Sequence, residues 1–157
     1  MTQITKAVNE PILSFAAGSP ERASLQAKYD EMATQTIEIP LIIDGKEIKT
    51  GDTGNCVMPH NHQHVLATYH NAGETEVIQA IDSAMKSWKT WSKTSLEERT
   101  KIFRKAAELL QGPWRDTINA ATMLNQSKNA FQAEVDAACE LIDFFNFNAQ
   151  YAEEITA

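Results

Sequence analysis

Cysteine is scarce in this chain of 157 residues. There are two, Cys56 and Cys139, far apart and with no CxxC spacing. That excludes a disulfide framework and reads as two reduced thiols of a cytosolic protein. Positive charge is in deficit, with 14 Lys and Arg against 21 Asp and Glu and a net charge of −7. A balance this acidic argues against nucleic acid or an anionic membrane as partner. No uninterrupted apolar run approaches the length of a membrane span. The first residues, MTQITKAVNEP, carry neither a charged-then-apolar signal pattern nor an Arg-rich transit pattern. The expected compartment is the cytoplasm, or the mitochondrial matrix if a targeting segment has been removed. Also missing are GxGxxG, a phosphate-binding P-loop and a serine elbow. Gly18-Ser19-Pro20 and Gly112-Pro113 read as helix boundaries, not phosphate cradles. Internal repeats, low-complexity tracts and an interdomain linker are absent too.

What is present suffices for one domain with a real core: 43% of residues are hydrophobic and 22% charged. Residues 1–18 read as irregular, broken by Pro11 and Gly18. Ser19-Pro20-Glu21 then opens a helix to about residue 34, with a cap, a proline at the first position and an acid at the positive end. Asp44-Gly45 between two β-rich runs predicts a tight hairpin, and Pro40 suits an edge position. A second strand pair is expected at about residues 56–59 and 64–69, joined by a His-Asn-His-Gln turn. From Glu74 the period becomes helical, marked by Val77, Ile81, Ala84 and Trp88. Ser95 and Glu98 have capping-box spacing before a helix carrying Ile102, Phe103, Ala106, Leu109 and Leu110. A shorter helix at about 113–124 follows, and NQSKN leads into the most apolar helical run, residues 131–148. There Phe131, Val135, Ala138, Ile142 and Phe145 share one face, and Ala133, Ala137, Phe144 and Phe147 the other, with Glu140 among them. A helix apolar nearly all round is buried on both sides.

Four groups are candidates for chemistry. His60, His62, His64 and His70 lie within one stretch, and in a strand the first three would share a side, as zinc requires. Asn61-His62-Gln63 reads as a turn, however, and no Cys or carboxylate stands near, so no metal site is expected. Cys139 sits in an apolar helix beside Glu140, which opposes thiolate formation, and Cys56 lies in an expected strand. Both read as packing residues. Trp88 and Trp91 among Lys86, Lys89 and Lys93 read as a helix end anchored in a core, beside a solvated basic face. Glu140 is either a solvated or ion-paired carboxylate, or one facing a ligand pocket. If its face is covered, desolvation and the like charge of Asp136, one turn back, both raise its pKa.

QAEVDAACELIDFFNFNAQYA closely resembles the helix that precedes the catalytic core in the delta-1-pyrroline-5-carboxylate dehydrogenase family, a branch of the aldehyde dehydrogenase superfamily. VNEPILSFAAGSPER, MPHNHQHVLATY and RTKIFRKAAELLQGPWR match as well, so the resemblance runs over residues 8–151. It implies an α/β fold of which this chain is the N-terminal segment, mainly helical with short β-hairpins, its central sheet mostly missing. Residues 1–157 would be a single segment, the N-terminal part of the dinucleotide-binding domain, with the catalytic domain absent.

Members of the resembled family oxidise L-glutamate gamma-semialdehyde, which arises from pyrroline-5-carboxylate in proline breakdown, to L-glutamate with NAD. A Cys attacks the aldehyde, an Asn and a backbone amide hold the oxyanion, and a Glu activates water. In that family all these groups follow the stretch matched here, and so does NAD binding. No catalytic, cofactor-binding or metal residue is therefore expected in this chain, which should be inactive alone. Glu140 matches a family Glu beside the aldehyde entrance and is the expected substrate-binding residue, meeting the substrate's ammonium. The complete enzyme is expected to be a homo-oligomer. The rival reading is a free-standing helical interaction module without activity.

Overall fold

The computed structural model describes residues 6–157. The first five residues, part of the expected irregular start, lie outside the described residues. Along the chain come helix α1 (Pro20–Ala33), strands β1 (Ile37–Ile39), β2 (Leu41–Ile43), β3 (Lys46–Ile48), β4 (Thr53–Met58) and β5 (Asn61–His70), and helices α2 (Glu74–Trp91), α3 (Leu96–Gln111) and α4 (Arg115–Gln126). The chain then runs as one helix built of α5 (Ala130–Ala133), a π-helical segment (Glu134–Cys139) and α6 (Glu140–Thr156). Packing groups the described residues into two compact units. One is Gln35–Thr94; the other joins the described residues up to Thr34 to Ser95–Ala157.

In the smaller unit β5 is the middle strand, antiparallel to β4 and parallel to β1, with Ile37 opposite Ala67. β2 and β3 form the expected hairpin. Asp44 (φ 54°) and Gly45 (φ 73°) both take the left-handed conformation that a two-residue turn of this hand demands. Pro40 falls where the chain leaves β1 for β2, a place that asks for no ladder donor. The second hairpin is tighter than its sequence reads. Met58 pairs with Asn61, so Pro59 and His60 make the turn, and Asn61, His62 and Gln63 are strand, with the register shifting after Cys56. Gly54 faces Tyr69, whose ring lies 2.5 Å from where a Cβ would stand. His70 is buried in β5. Its Nδ1 accepts the Gly51 N–H at 3.2 Å, so Nε2 carries the proton and donates to Glu38 at 2.9 Å. Glu38 also takes the Lys49 ammonium; that bond first, then the one from His70, holds its carboxyl below the usual range. α2 lies against β2 but buries none of its residues. Trp88, expected as a core anchor, is 61% exposed, and Trp91 is exposed as well.

In the larger unit α1 and α4 pack together around Phe15, Leu25 and Ala120, with Tyr29, Met32 and Met123 at the edge. Ser19 caps α1 as expected, its Oγ accepting the Arg22 N–H. Ser95 and Glu98 close the expected capping box on α3, each accepting the other's backbone N–H at 3.2 Å. α3 packs on α6 through Phe103 and Phe145, ring centres 5.8 Å apart, and through a two-pronged Arg104–Glu153 pair at 2.6 and 2.9 Å. The buried residues of α3 are Thr100 and Ala107, whereas Ile102, Phe103 and Leu109 of its expected apolar stripe are exposed.

Candidate functional site

The site grows from how residues 7–13 lie along the last helix. Glu10 precedes Pro11, which favours an extended backbone there. The N–H groups of Ala7, Glu10 and Leu13 point to the helix and donate to Gln150 Oε1 (2.6 Å), Asp143 Oδ1 (2.7 Å) and Glu134 Oε1 (2.9 Å). Donors every third residue suit a threefold extended chain. Residues 7–13 span about 20 Å when extended at about 3.3 Å per residue. The helix from 134 to 150 spans about 24 Å at about 1.5 Å per residue. The strap and the helix therefore keep pace, running antiparallel.

Below the strap lies an ionic network that no sequence feature announces. Glu134 is 0% exposed and accepts from Leu13 N–H, from Asn119 Nδ2 at 2.7 Å and from Arg115 through Nε and Nη2. Arg115 reaches onward to Glu10 Oε1 at 2.5 Å and to the Pro11 carbonyl at 2.8 Å. Burial pushes the Glu134 carboxyl up, but the bonds from Arg115, Leu13 and Asn119 outweigh it and hold it below the ordinary carboxylate range. Burial likewise opposes the Arg115 charge and is overcome by Glu134 and Glu10, which raise its pKa.

The π-helical segment brings Cys139 to the same cluster. In an α-helix, at about 100° per residue, groups five apart point about 140° away from each other. Winding by i→i+5 bonds stacks them instead, and the Cys139 sulfur lies 3.7 Å from Glu134 Oε1. Burial first, then the Glu134 charge, pushes its thiol up to about 11. That is the reverse of an activated nucleophile. Cys56 is half-buried in β4.

On the outer face of α6, beyond the network, opens a cleft of about 390 Å³. Asn9 of the strap lines it, with Glu140, Asp143, Phe144, Phe147 and Tyr151 of the helix. Both Asp143 oxygens are taken by the strap, Oδ1 by Glu10 N–H and Oδ2 by Asn9 Nδ2, each at 2.7 Å. Phe147 and Tyr151 stack obliquely with centres 6.0 Å apart. Glu140 is exposed, and among the described residues its carboxylate has no hydrogen-bond or ion-pair partner. The expected like charge does not bear on it as a bare anion, because Asp136 is turned to Lys128 at 2.8 Å. Nor is the helix covered on both sides: Phe131 and Phe144 are more than half exposed. A carboxylate free of partners beside aromatic rings can bind an organic cation. It holds no nucleophile and moves no bond.

The remaining candidates do not converge. Among the described residues no three His, Cys, Asp or Glu side chains are arranged to hold a metal ion, and His62 and His64 stand on β5 while His60 stands in its turn. No described helix is long and apolar enough to cross a membrane. Four of the described helices have a carboxylate in the first turn: Glu21 in α1, Glu74 and Glu76 in α2, Glu97 and Glu98 in α3 and Asp116 in α4, whereas the last helix, capped by Asn129, starts without one. These acids occupy the positive helix ends that a phosphate would need.

Comparison with known proteins places this geometry. The aldehyde dehydrogenase family model matches residues 47–157, well over half of the chain. A delta-1-pyrroline-5-carboxylate dehydrogenase of Agaricus bisporus is 46% identical over 150 residues, 95% of this chain and 28% of that protein. A human protein named delta-1-pyrroline-5-carboxylate dehydrogenase, mitochondrial, is 42% identical over 98% of this chain and 27% of its own length. Among solved structures, the delta-pyrroline-5-carboxylate dehydrogenase of Mycobacterium tuberculosis bound with NAD superposes with a TM-score of 0.95 at 40% identity, covering 99% of this chain and 29% of that one. The chain thus spans less than a third of the length of these relatives. With helices, hairpins and sequence all matched, it belongs to the aldehyde dehydrogenase family.

Proposed function

We propose that this chain serves as the N-terminal portion of an NAD-dependent dehydrogenase that oxidises L-glutamate gamma-semialdehyde, formed from pyrroline-5-carboxylate, to L-glutamate in proline degradation. Its 46% identity to a relative of that name over 95% of the chain carries the reading. NAD is held by the remainder of the enzyme; this chain covers 29% of the solved relative bound with NAD. The complete enzyme is a homo-oligomer. Its compartment is the cytoplasm or the mitochondrial matrix; the human relative is mitochondrial by name and the Agaricus one carries no such word.

Within that enzyme this chain supplies binding, and Glu140 meets the substrate's ammonium group. The open carboxylate flanked by Phe144 and Phe147 supports that role. A charge-assisted bond of this kind contributes about 1.5–3 kcal/mol. In the complete enzyme Glu140→Gln should therefore raise KM for glutamate semialdehyde about ten-fold or more. KM for an uncharged short aldehyde should stay nearly constant, because that substrate has no ammonium to lose. Equal losses for both aldehydes would make Glu140 structural, and no loss would make it a solvated residue.

The 157-residue chain alone should form no NADH from glutamate semialdehyde. Its buried thiol is held protonated, Glu134 is spent on the ion pair with Arg115, and Glu140 stands in a cleft without a nucleophile. Turnover above the blank by the purified chain would overturn that assignment.

A further inference from the structure

We propose that Asn9 is a second ligand for the substrate's ammonium group, held beside Glu140 by Asp143; this rests on the reading of the cleft just given. Asn9 and Glu140 line the same cleft from different segments, one on the strap and one on α6. The strap cannot slide there. Ala7 N–H is tied to Gln150, Glu10 N–H to Asp143, the Glu10 carboxylate to Arg115 and Gln111, and the Pro11 carbonyl to Arg115.

The orientation of the Asn9 amide follows from its partner. An ionised carboxylate only accepts, so the atom facing Asp143 Oδ2 at 2.7 Å must be the NH₂ group. The amide plane then turns Oδ1 away from Asp143. No described residue donates to that oxygen, and Asn9 is exposed. An ammonium group has three donors. Glu140 satisfies part of the set, and Asn9 Oδ1 adds an acceptor without adding charge. Neutrality matters here, because the amino-acid substrate carries a carboxylate next to its ammonium and a further anion in the cleft would repel it. Asp143 is already engaged by two strap donors, so it acts as a positioning residue.

The test is steady-state kinetics of the complete NAD-dependent enzyme with glutamate semialdehyde and with propanal. Asn9→Ala is expected to raise KM for the semialdehyde about five-fold, the effect of one lost acceptor. It should leave kcat and the propanal KM unchanged. Asp143→Ala should show the same split, and the double variant should be no worse than the worse single one, since both act through one contact. An unchanged semialdehyde KM in Asn9→Ala, or equal losses for both aldehydes, would overturn the proposal. If Glu140→Gln shifts the semialdehyde KM and Asn9→Ala does not, this proposal falls and the reading of Glu140 stands. If the unmodified enzyme does not oxidise the semialdehyde, both fall.

Discussion

Glu134 and Arg115 show how much a single pair decides. One is completely buried and the other nearly so, and each bonds a backbone group of the strap, Glu134 the Leu13 N–H and Arg115 the Pro11 carbonyl. Removing one member of such a pair leaves an uncompensated buried charge, which costs about 3–5 kcal/mol. Arg115→Ala should lower the unfolding free energy by that amount, as read from denaturant titration of the chain. The pH dependence follows from the depressed Glu134 carboxyl. A carboxyl whose folded pKa lies below its unfolded value of about 4.3 contributes stability that is complete above that pH and lost as the pH falls through the folded value. Stability should therefore fall below about pH 4, and Glu134→Gln should flatten that limb while lowering stability at neutral pH. An acid limb unaltered in the variant would assign the loss to other carboxylates. Glu134 was invisible in the sequence because its partner on α4 and the strap N–H are brought to it by packing alone. Glu140 stands out in the sequence only as a carboxylate among apolar neighbours on its own helix.

At the level of elements, local chemistry was mostly legible. Caps act within one turn, so Ser19 and the Ser95–Glu98 box could be read directly. Asp44-Gly45 made its hairpin because both residues accept positive φ. What escaped were features set by a facing element. The His-rich stretch has the composition of a turn, yet pairing with β4 draws Asn61–His70 into strand. The π-helical segment is fixed by where Glu134 and Cys139 must meet Arg115. The stretch Gly51 to Gly54 reads as a turn, yet Gly54 lies in β4 opposite Tyr69, whose ring crosses it. Gly54→Ala places a methyl group 2.5 Å from that ring and must displace it or bend β4. The expected cost is about 1–3 kcal/mol, as for overpacking, read as a lower thermal midpoint. Combining it with Tyr69→Ala should recover much of the loss, and failure to recover would place the strain in the backbone.

For the whole molecule, the exposed apolar surface is the dominant fact. Val77, Ile78, Ile81, Met85 and Trp88 of α2 all stand near half exposure or beyond, as do Ile102 and Phe103 of α3. Apolar patches of this kind drive association. The isolated chain should form dimers or aggregates and bind a hydrophobic dye strongly, with light scattering and dye fluorescence as the measures. A dye-negative monomer would show that the chain closes these faces itself. Such an outcome would also favour the free-standing module over the dehydrogenase portion.

The sequence by itself determined the helices, the first hairpin, the acidic balance and the family. All of these rest on residues close in the chain or on matched runs of them. Only the tertiary structure decided which faces are covered. It buried Glu134 instead of Glu140, left the α2 stripe and Trp88 open, and spent Asp143 on the strap. The physical reason is one of range. Propensity, capping and turn chemistry act over a few residues, whereas desolvation and ion pairing depend on groups such as Glu10 and Arg115 that meet only once the chain has packed.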